Sequence, residues 1–147
     1  MSTYSRQKPE GNSKVHFLVL FFCYNTSMLI VSLIVLTVLF ILNLTVGMYY
    51  GFGQRHYWFF ELLHFLGGFF VAMFLAGLNF SIPHIFIGLA SVTFLWELAE
   101  YLIDKISGAS KYIKMKFRLK TTKITRRDTV LDIVLNFAGA LLFVLWL

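Results

Sequence analysis

Charge is scarce in this chain of 147 residues: Asp, Glu, Lys and Arg make up 14% of it, where a soluble domain averages about a quarter. Cysteine occurs once, at Cys23, which excludes an intramolecular disulfide and a multi-thiolate metal site. Cys23 lies in an apolar run and reads as a small hydrophobe. The two prolines act as punctuation, Pro9 in a polar N-terminal stretch and Pro83 at the first position of a predicted helix. No nucleic-acid motif accompanies the basic residues, so nucleic acid is not an expected partner.

What fills the chain instead is apolar side chain. It is 59% hydrophobic, with 17 Phe and a mean hydropathy of +0.76. Several stretches approach the ~20 apolar residues that cross a hydrocarbon core. The composition is that of an integral membrane protein of one domain. Its formal net charge of +6 fits anionic lipid head groups as the partner of the basic residues. Arg6, Lys8 and Lys14 ahead of the apolar Val15 to Cys23 imitate a signal peptide. No small-x-small cleavage site follows, and the segment is expected to be retained.

Residues 1–14 are polar and predict a disordered tail. From 15 to 50 the chain is apolar except for Asn25-Thr26-Ser27 and Asn43. This is too long for one perpendicular span and short for two, at ~1.5 Å per helical residue. The reading is an interfacial or tilted lead-in over 15–26 and a span over 28–46, with a two-helix hairpin as the alternative. Residues 47–56 form an aromatic, glycine-rich turn at an interface. Further spans are predicted over 57–78, 84–103 and 128–147. The resulting fold class is an all-α polytopic membrane protein of four transmembrane helices, or five if the hairpin forms, with a polar pocket between the last three.

The loop 105–127 holds nine of the thirteen basic residues and should be cytoplasmic, in a cell (cytoplasmic) membrane, by the positive-inside rule. Four spans then leave the three basic residues of the tail outside, and a fifth span would bring them in. Within the loop, Met115, Phe117 and Leu119 alternate with Lys114, Lys116, Arg118 and Lys120. That period of two predicts an extended segment on the membrane surface; the plainer alternative is a solvated loop that only sets topology.

The acids are distributed differently. Apart from Glu10, every one lies within or at the end of a predicted span: Glu61, Glu97, Glu100, Asp104, Asp128 and Asp132. No Lys or Arg lies in the middle of a span. A charged side chain at the bilayer centre costs ~2.5–3.5 kcal/mol on insertion scales, which makes each buried acid a functional candidate. Helical spacing groups them into faces: Glu61, His64 and Gly68; Thr93, Glu97, Glu100 and Asp104; and Asp128, Asp132, Asn136 and Gly139-Ala140. The three helices meet the same side of the membrane, with His64, Glu97 and Asn136 roughly 10–12 Å inward from it.

His64, Glu97, Glu100, Asp128 and Asp132 form a hard oxygen and nitrogen ligand set, suited to Mg²⁺, Mn²⁺ or Zn²⁺. Glu97, Glu100 and Asp132 are also the candidates for general acid and base work, or for a proton relay. Asn136 would orient a ligand, and Lys116, Arg118, Arg126 and Arg127 would steer an anionic head group. Each has a plainer alternative. His64 can be a hydrogen-bonded packing residue, Asp128 a helix cap, and Asn136, Gly139 and Gly67-Gly68 sites of close helix approach.

Three blocks resemble a known group. They are His64-Phe65-Leu66-Gly67-Gly68 within 57–72, Trp96-Glu97-Leu98-Ala99-Glu100, and Asp128-Thr129-x-x-Asp132-x-x-x-Asn136-x-x-Gly139-Ala140. Together these are similar to the YjdF-type and VanZ-like small bacterial membrane proteins over about 57–145. The resemblance implies a multi-spanning inner-membrane protein. YjdF-type proteins have no established reaction, and VanZ-like proteins are associated with teicoplanin resistance. This chain has fewer spans than the YjdF type and a Lys-rich loop in place of a short acidic one. A phosphatase signature of the Lys/Arg-Ser-Gly-His kind is missing, as is a Gly-x-Ser nucleophile with a partner His. Two function classes follow: a divalent-metal-dependent protein that binds or processes a lipid or polyprenyl-phosphate head group, or a non-catalytic membrane protein whose acids form a proton or cation pathway. The second class also allows docking of another copy or a membrane partner.

Overall fold

The computed structural model describes residues 11–105, 111–112, 115 and 126–147, and it is helical throughout its ordered elements. Helix α1 runs Gly11–Leu42 and continues without a break into a π-helical stretch, Asn43–Tyr49. A single turn, α2 (Phe52–Arg55), leads to α3 (Trp58–Gly77), α4 (Ile82–Lys105) and α5 (Arg126–Trp146). Among the described residues, four helices are long and apolar enough to cross a membrane: Cys23–Tyr49, Trp58–Gly77, Ile82–Leu102 and Arg127–Trp146.

The first apolar run is therefore one helix, and the five-span alternative does not form. Asn25-Thr26-Ser27 does not interrupt it, because Asn25 has a partner across the bundle: its Nδ2 donates to Asn79 Oδ1 at 2.7 Å. Buried Ser32 donates to the carbonyl of Met28 one turn back, which satisfies its hydroxyl within the helix. The predicted lead-in over 15–26 is the beginning of this same helix, and Gly11 already belongs to it. Of the predicted tail over 1–14, residues 11–14 belong to α1; residues 1–10 and most of the loop, including its expected extended segment, lie outside the described residues.

Helix α3 is the hub, packed against α1 on one side and most closely against α5 on another. The α3–α5 contact brings backbone against backbone. A Cβ on Gly68 would come within 2.6 Å of Asn136 Cα, and one on Gly139 within 2.9 Å of Phe69 N. Small residues let helices approach closely in this way in a bilayer, where apolar burial does not by itself favour helix against lipid. Below this contact the core is Met28, Ala72, Ile85, Leu89, Ala140 and Phe143. Phe69 meets Phe143 edge-on at 5.4 Å, and Phe86 stacks on Phe137 at 6.2 Å, within the range of favourable ring pairs.

Two connections set the angles of the helices. Phe60 lies against both Gly47 and Gly53, so the aromatic turn folds back on the start of α3. At the other end Asn79 adopts φ 63° and turns the chain from α3 into α4. Asn tolerates that left-handed conformation, and here the Asn25 hydrogen bond holds it. Pro83 falls at the second helical residue of α4, one later than predicted.

The two adjacent glycines of α3 separate packing from conformational effects. A Cβ at Gly67 meets only Asn136 Oδ1, at 3.7 Å, an ordinary contact. Gly68→Ala should lower stability by about 1–3 kcal/mol through overpacking, whereas Gly67→Ala should leave it unchanged or slightly raised. Denaturant titration in detergent micelles, read by tryptophan fluorescence, checks the difference.

Candidate functional site

His64, Glu97 and Asp132 lie on three different helices. They stand six, five and five residues in from the span ends Trp58, Leu102 and Arg127, or about 8–9 Å at 1.5 Å per residue. The side chains of His64 and Asp132 are 14% and 15% exposed, with Nε2 and Oδ2 3.7 Å apart. On the other side of the ring, Asn136 Nδ2 is 3.4 Å from His64 Nδ1. Asn136 follows Asp132 by one turn of α5, so one helix face grips both imidazole nitrogens. The tautomer that suits both neighbours accepts at Nδ1 from the amide and carries its proton on Nε2, facing the carboxylate.

Gly68 makes this grip possible. It lies one turn beyond His64 on the same face of α3, and the Asn136 backbone sits directly against it. Any side chain at Gly68 would push α5 outward and draw the Asn136 amide and Asp132 carboxylate away from the ring. The glycine that reads first as a packing residue is thus also what positions the polar site.

Helix α4 supplies the third wall. The Glu97 carboxylate accepts a hydrogen bond from the Thr129 hydroxyl and lies within electrostatic range of Asp132 and His64. Its Oε1 is buried without a hydrogen-bond partner. Buried polar atoms are satisfied in the great majority of cases, so an orphaned carboxylate oxygen calls for an explanation. The Trp96 ring meets Phe40 of α1 edge-on at 6.2 Å. Glu100 lies within electrostatic range of Glu97 and Asp132, and thus joins the carboxylate cluster without a direct pair to His64.

At the membrane end, the Tyr57 hydroxyl donates to Asp128 Oδ1 at 2.7 Å, joining the start of α3 to the start of α5. Desolvation first, then this bond and the charges of Asp128, Asp132 and Glu61, push the phenol's pKa above its ordinary value. Asp128 is therefore engaged across the bundle, at the mouth of the site. Arg127 is exposed at the start of α5. The side chain of Arg126, together with Lys116, Arg118 and the side chain of Asp104, lies outside the described residues, so the predicted head-group contacts of the loop have no geometry here. Among the described residues, no three of His, Cys, Asp and Glu converge to hold a metal ion.

Sequence reasoning missed Tyr57 and Thr129. Tyr57 reads as one more interfacial aromatic, and only the close parallel packing of α3 and α5 reveals its role. Thr129 precedes Asp132 by three residues, so the spacing that grouped the acids of α5 could have included it. Against α4 and α5 there is also a groove of 390 Å³, lined by Ala90, Phe94, Glu97, Thr129 and Phe137 among others.

The fold is that of a polytopic α-helical membrane protein, with His64 and a group of carboxylates gathered toward one end of three of its candidate spans. A family model described as predicted membrane protein (DUF2238) matches residues 14–147, and the chain belongs to that family. No curated protein and no solved structure matches it.

The Tyr57–Asp128 bond can be read directly. With tyrosine ring-carbon labelling, one signal should remain protonated above pH ~10, where an ordinary phenol titrates. In Asp128→Ala that signal should titrate closer to the ordinary range. Its raised folded pKa means that the bond stabilises the fold below the phenol's unfolded pKa, and that this stability falls as pH rises beyond it.

Proposed function

We propose that this protein binds a lipid head group between α3, α4 and α5 and acts on it by proton transfer, with His64 and Asp132 as the acid–base pair. The observation that carries the reading is the hold on His64, whose two ring nitrogens face Asp132 and Asn136. A histidine oriented by a carboxylate on one nitrogen and an amide on the other is arranged to give or take a proton without rotating. Positioned acid–base groups of this kind contribute typically 10²–10⁴-fold to a rate. Glu97, with one oxygen on Thr129 and the other unpartnered, is the acceptor left over for a ligand, and Glu100 supports it at the mouth. The concentration of basic residues in 105–127 favours the cytoplasmic leaflet of a cell membrane.

A phosphate-bearing head, including a polyprenyl phosphate, would meet like charge from Glu97, Glu100 and Asp132. It would therefore need a counter-charge, and a divalent cation held by these carboxylates with His64 is the species their chemistry suits. The unpartnered Glu97 Oε1 favours this second reading as well, since a cation is one way to satisfy it. Membrane proteins that merely conduct protons or cations also bury acids, but neither the amide on His64 nor an apolar groove beside Glu97 is needed for conduction.

The test uses the full chain in nanodiscs made from total bacterial lipid, with lipid composition followed by mass spectrometry and bound metal by inductively coupled plasma detection. A lipid species should change with time and stop changing, by 10²-fold or more, in His64→Gln and Asp132→Asn chains that retain the wild-type melting profile. Stoichiometric Mg, Mn or Zn lost in Glu97→Gln would establish the cation. Unchanged lipid in the presence of the native protein, with or without added metal, would reject the acid–base reading.

A further inference from the structure

The groove between α4 and α5 begins at the site and leads away from it along the outside of the bundle. Thr93, Glu97 and Thr129 provide its polar atoms, and Ala90, Phe94 and Phe137 its apolar walls. Its surface is almost wholly apolar, and Phe94 is 64% exposed. Its volume of 390 Å³ falls at the lower end of the roughly 300–1,000 Å³ of small-molecule sites, enough for one chain segment and not for a two-chain lipid. The groove belongs to helices that cross the membrane, at the depth of their apolar spans, so the surrounding solvent is lipid.

Two observations fix the chemistry of an occupant. Glu97 lines the groove, and its Oε1 is shielded from solvent and without a donor; a hydrogen-bond donor at the occupant's polar end would satisfy it once the carboxylate turns toward the groove. Glu97 is also eight residues from Lys105, about 12 Å along α4, and five residues inside the end of the span. A charged head drawn to that depth would be expensive, whereas a hydroxyl gives the required donor without carrying charge. We propose that this groove binds a single-chain lipid alcohol, with its hydroxyl donating to Glu97 and its chain lying along Ala90, Phe94 and Phe137. The inference rests on the head-group reading above and names the head as a neutral hydroxyl. A ligand so placed would present its oxygen beside the carboxylate that lies within electrostatic range of His64 and Asp132.

The test is photolabelling of the full chain in nanodiscs with a diazirine-bearing C18 alcohol, mapped by peptide mass spectrometry. Parallel arms use the matched hydrocarbon, the matched primary ammonium and the matched alkyl phosphate. The alcohol should label α4 and α5 peptides at least ten times more than the hydrocarbon, and excess unlabelled alcohol should compete. Ala90→Trp, at a lipid-exposed position that leaves the core untouched, should abolish labelling. Ile87→Trp, exposed on α4 but outside the groove, should not. Glu97→Leu should reduce alcohol labelling to the hydrocarbon level. Equal labelling by hydrocarbon and alcohol, or preferential labelling by the ammonium or phosphate probe, overturns the proposal. Labelling that persists in His64→Gln separates the two readings: the groove can hold an alcohol even if the acid–base pair does no chemistry, and lipid turnover without groove labelling would leave only the pair.

Discussion

The closeness of α3 and α5 is the constraint from which the rest of the molecule follows. In water two apolar helices are pressed together by the solvent, but in lipid they are held by contact alone, so the backbones must come near enough for dispersion and polar contacts to act. Gly68 and Gly139 permit that approach. Once the backbones meet, Asn136 and Asp132 necessarily flank His64, Tyr57 reaches Asp128, and Phe69 and Phe143 close the core below. A side chain at either glycine would disturb packing, the imidazole and the mouth together.

Polar groups in the membrane interior are arranged in two tiers. The outer tier, Tyr57 with Asp128, is a satisfied pair that ties two helix ends. The inner tier is less complete: His64 has partners on both nitrogens, at 3.4 and 3.7 Å, longer than an ideal hydrogen bond, and Glu97 has an oxygen with none. A purely structural network gains most by satisfying every member, since a partly satisfied one is costly in a low dielectric. Of these residues Glu97 borders the groove, which is where a ligand would supply the missing partner.

Much of this was legible in the chain. Apolar length alone puts the last three spans within two residues of helices long and apolar enough to cross a membrane, because a bilayer imposes a length and leaves few alternatives. Helical spacing put His64, Glu97, Asp132 and Asn136 on faces that the structure turns toward one another, since acids in an apolar span point toward one another or toward a cavity. The first apolar run was harder. Asn25-Thr26-Ser27 resembles a break, and only a partner 54 residues away in sequence, Asn79, shows why the helix continues. Tyr57 and Thr129 were hidden for a similar reason: a hydroxyl has no preference for a functional place until its acceptor is known. The head-group role of Lys116 and Arg118 rests on charge alone, since both lie outside the described residues.

The unequal lengths of the helices carry a mechanical consequence. The apolar span of α1 has 27 residues, beside neighbours of 20 and 21. Hydrophobic segments that exceed the thickness of their bilayer adjust by tilting, by kinking or by thickening the lipid around them. Here the excess falls on the helix least enclosed by the bundle, whose half-exposed Phe40 meets Trp96 edge-on. A thinner membrane would tilt α1 further and move Phe40 across the residue next to Glu97. Bilayer thickness would then act on the aromatic contact beside Glu97, without any ligand or modification.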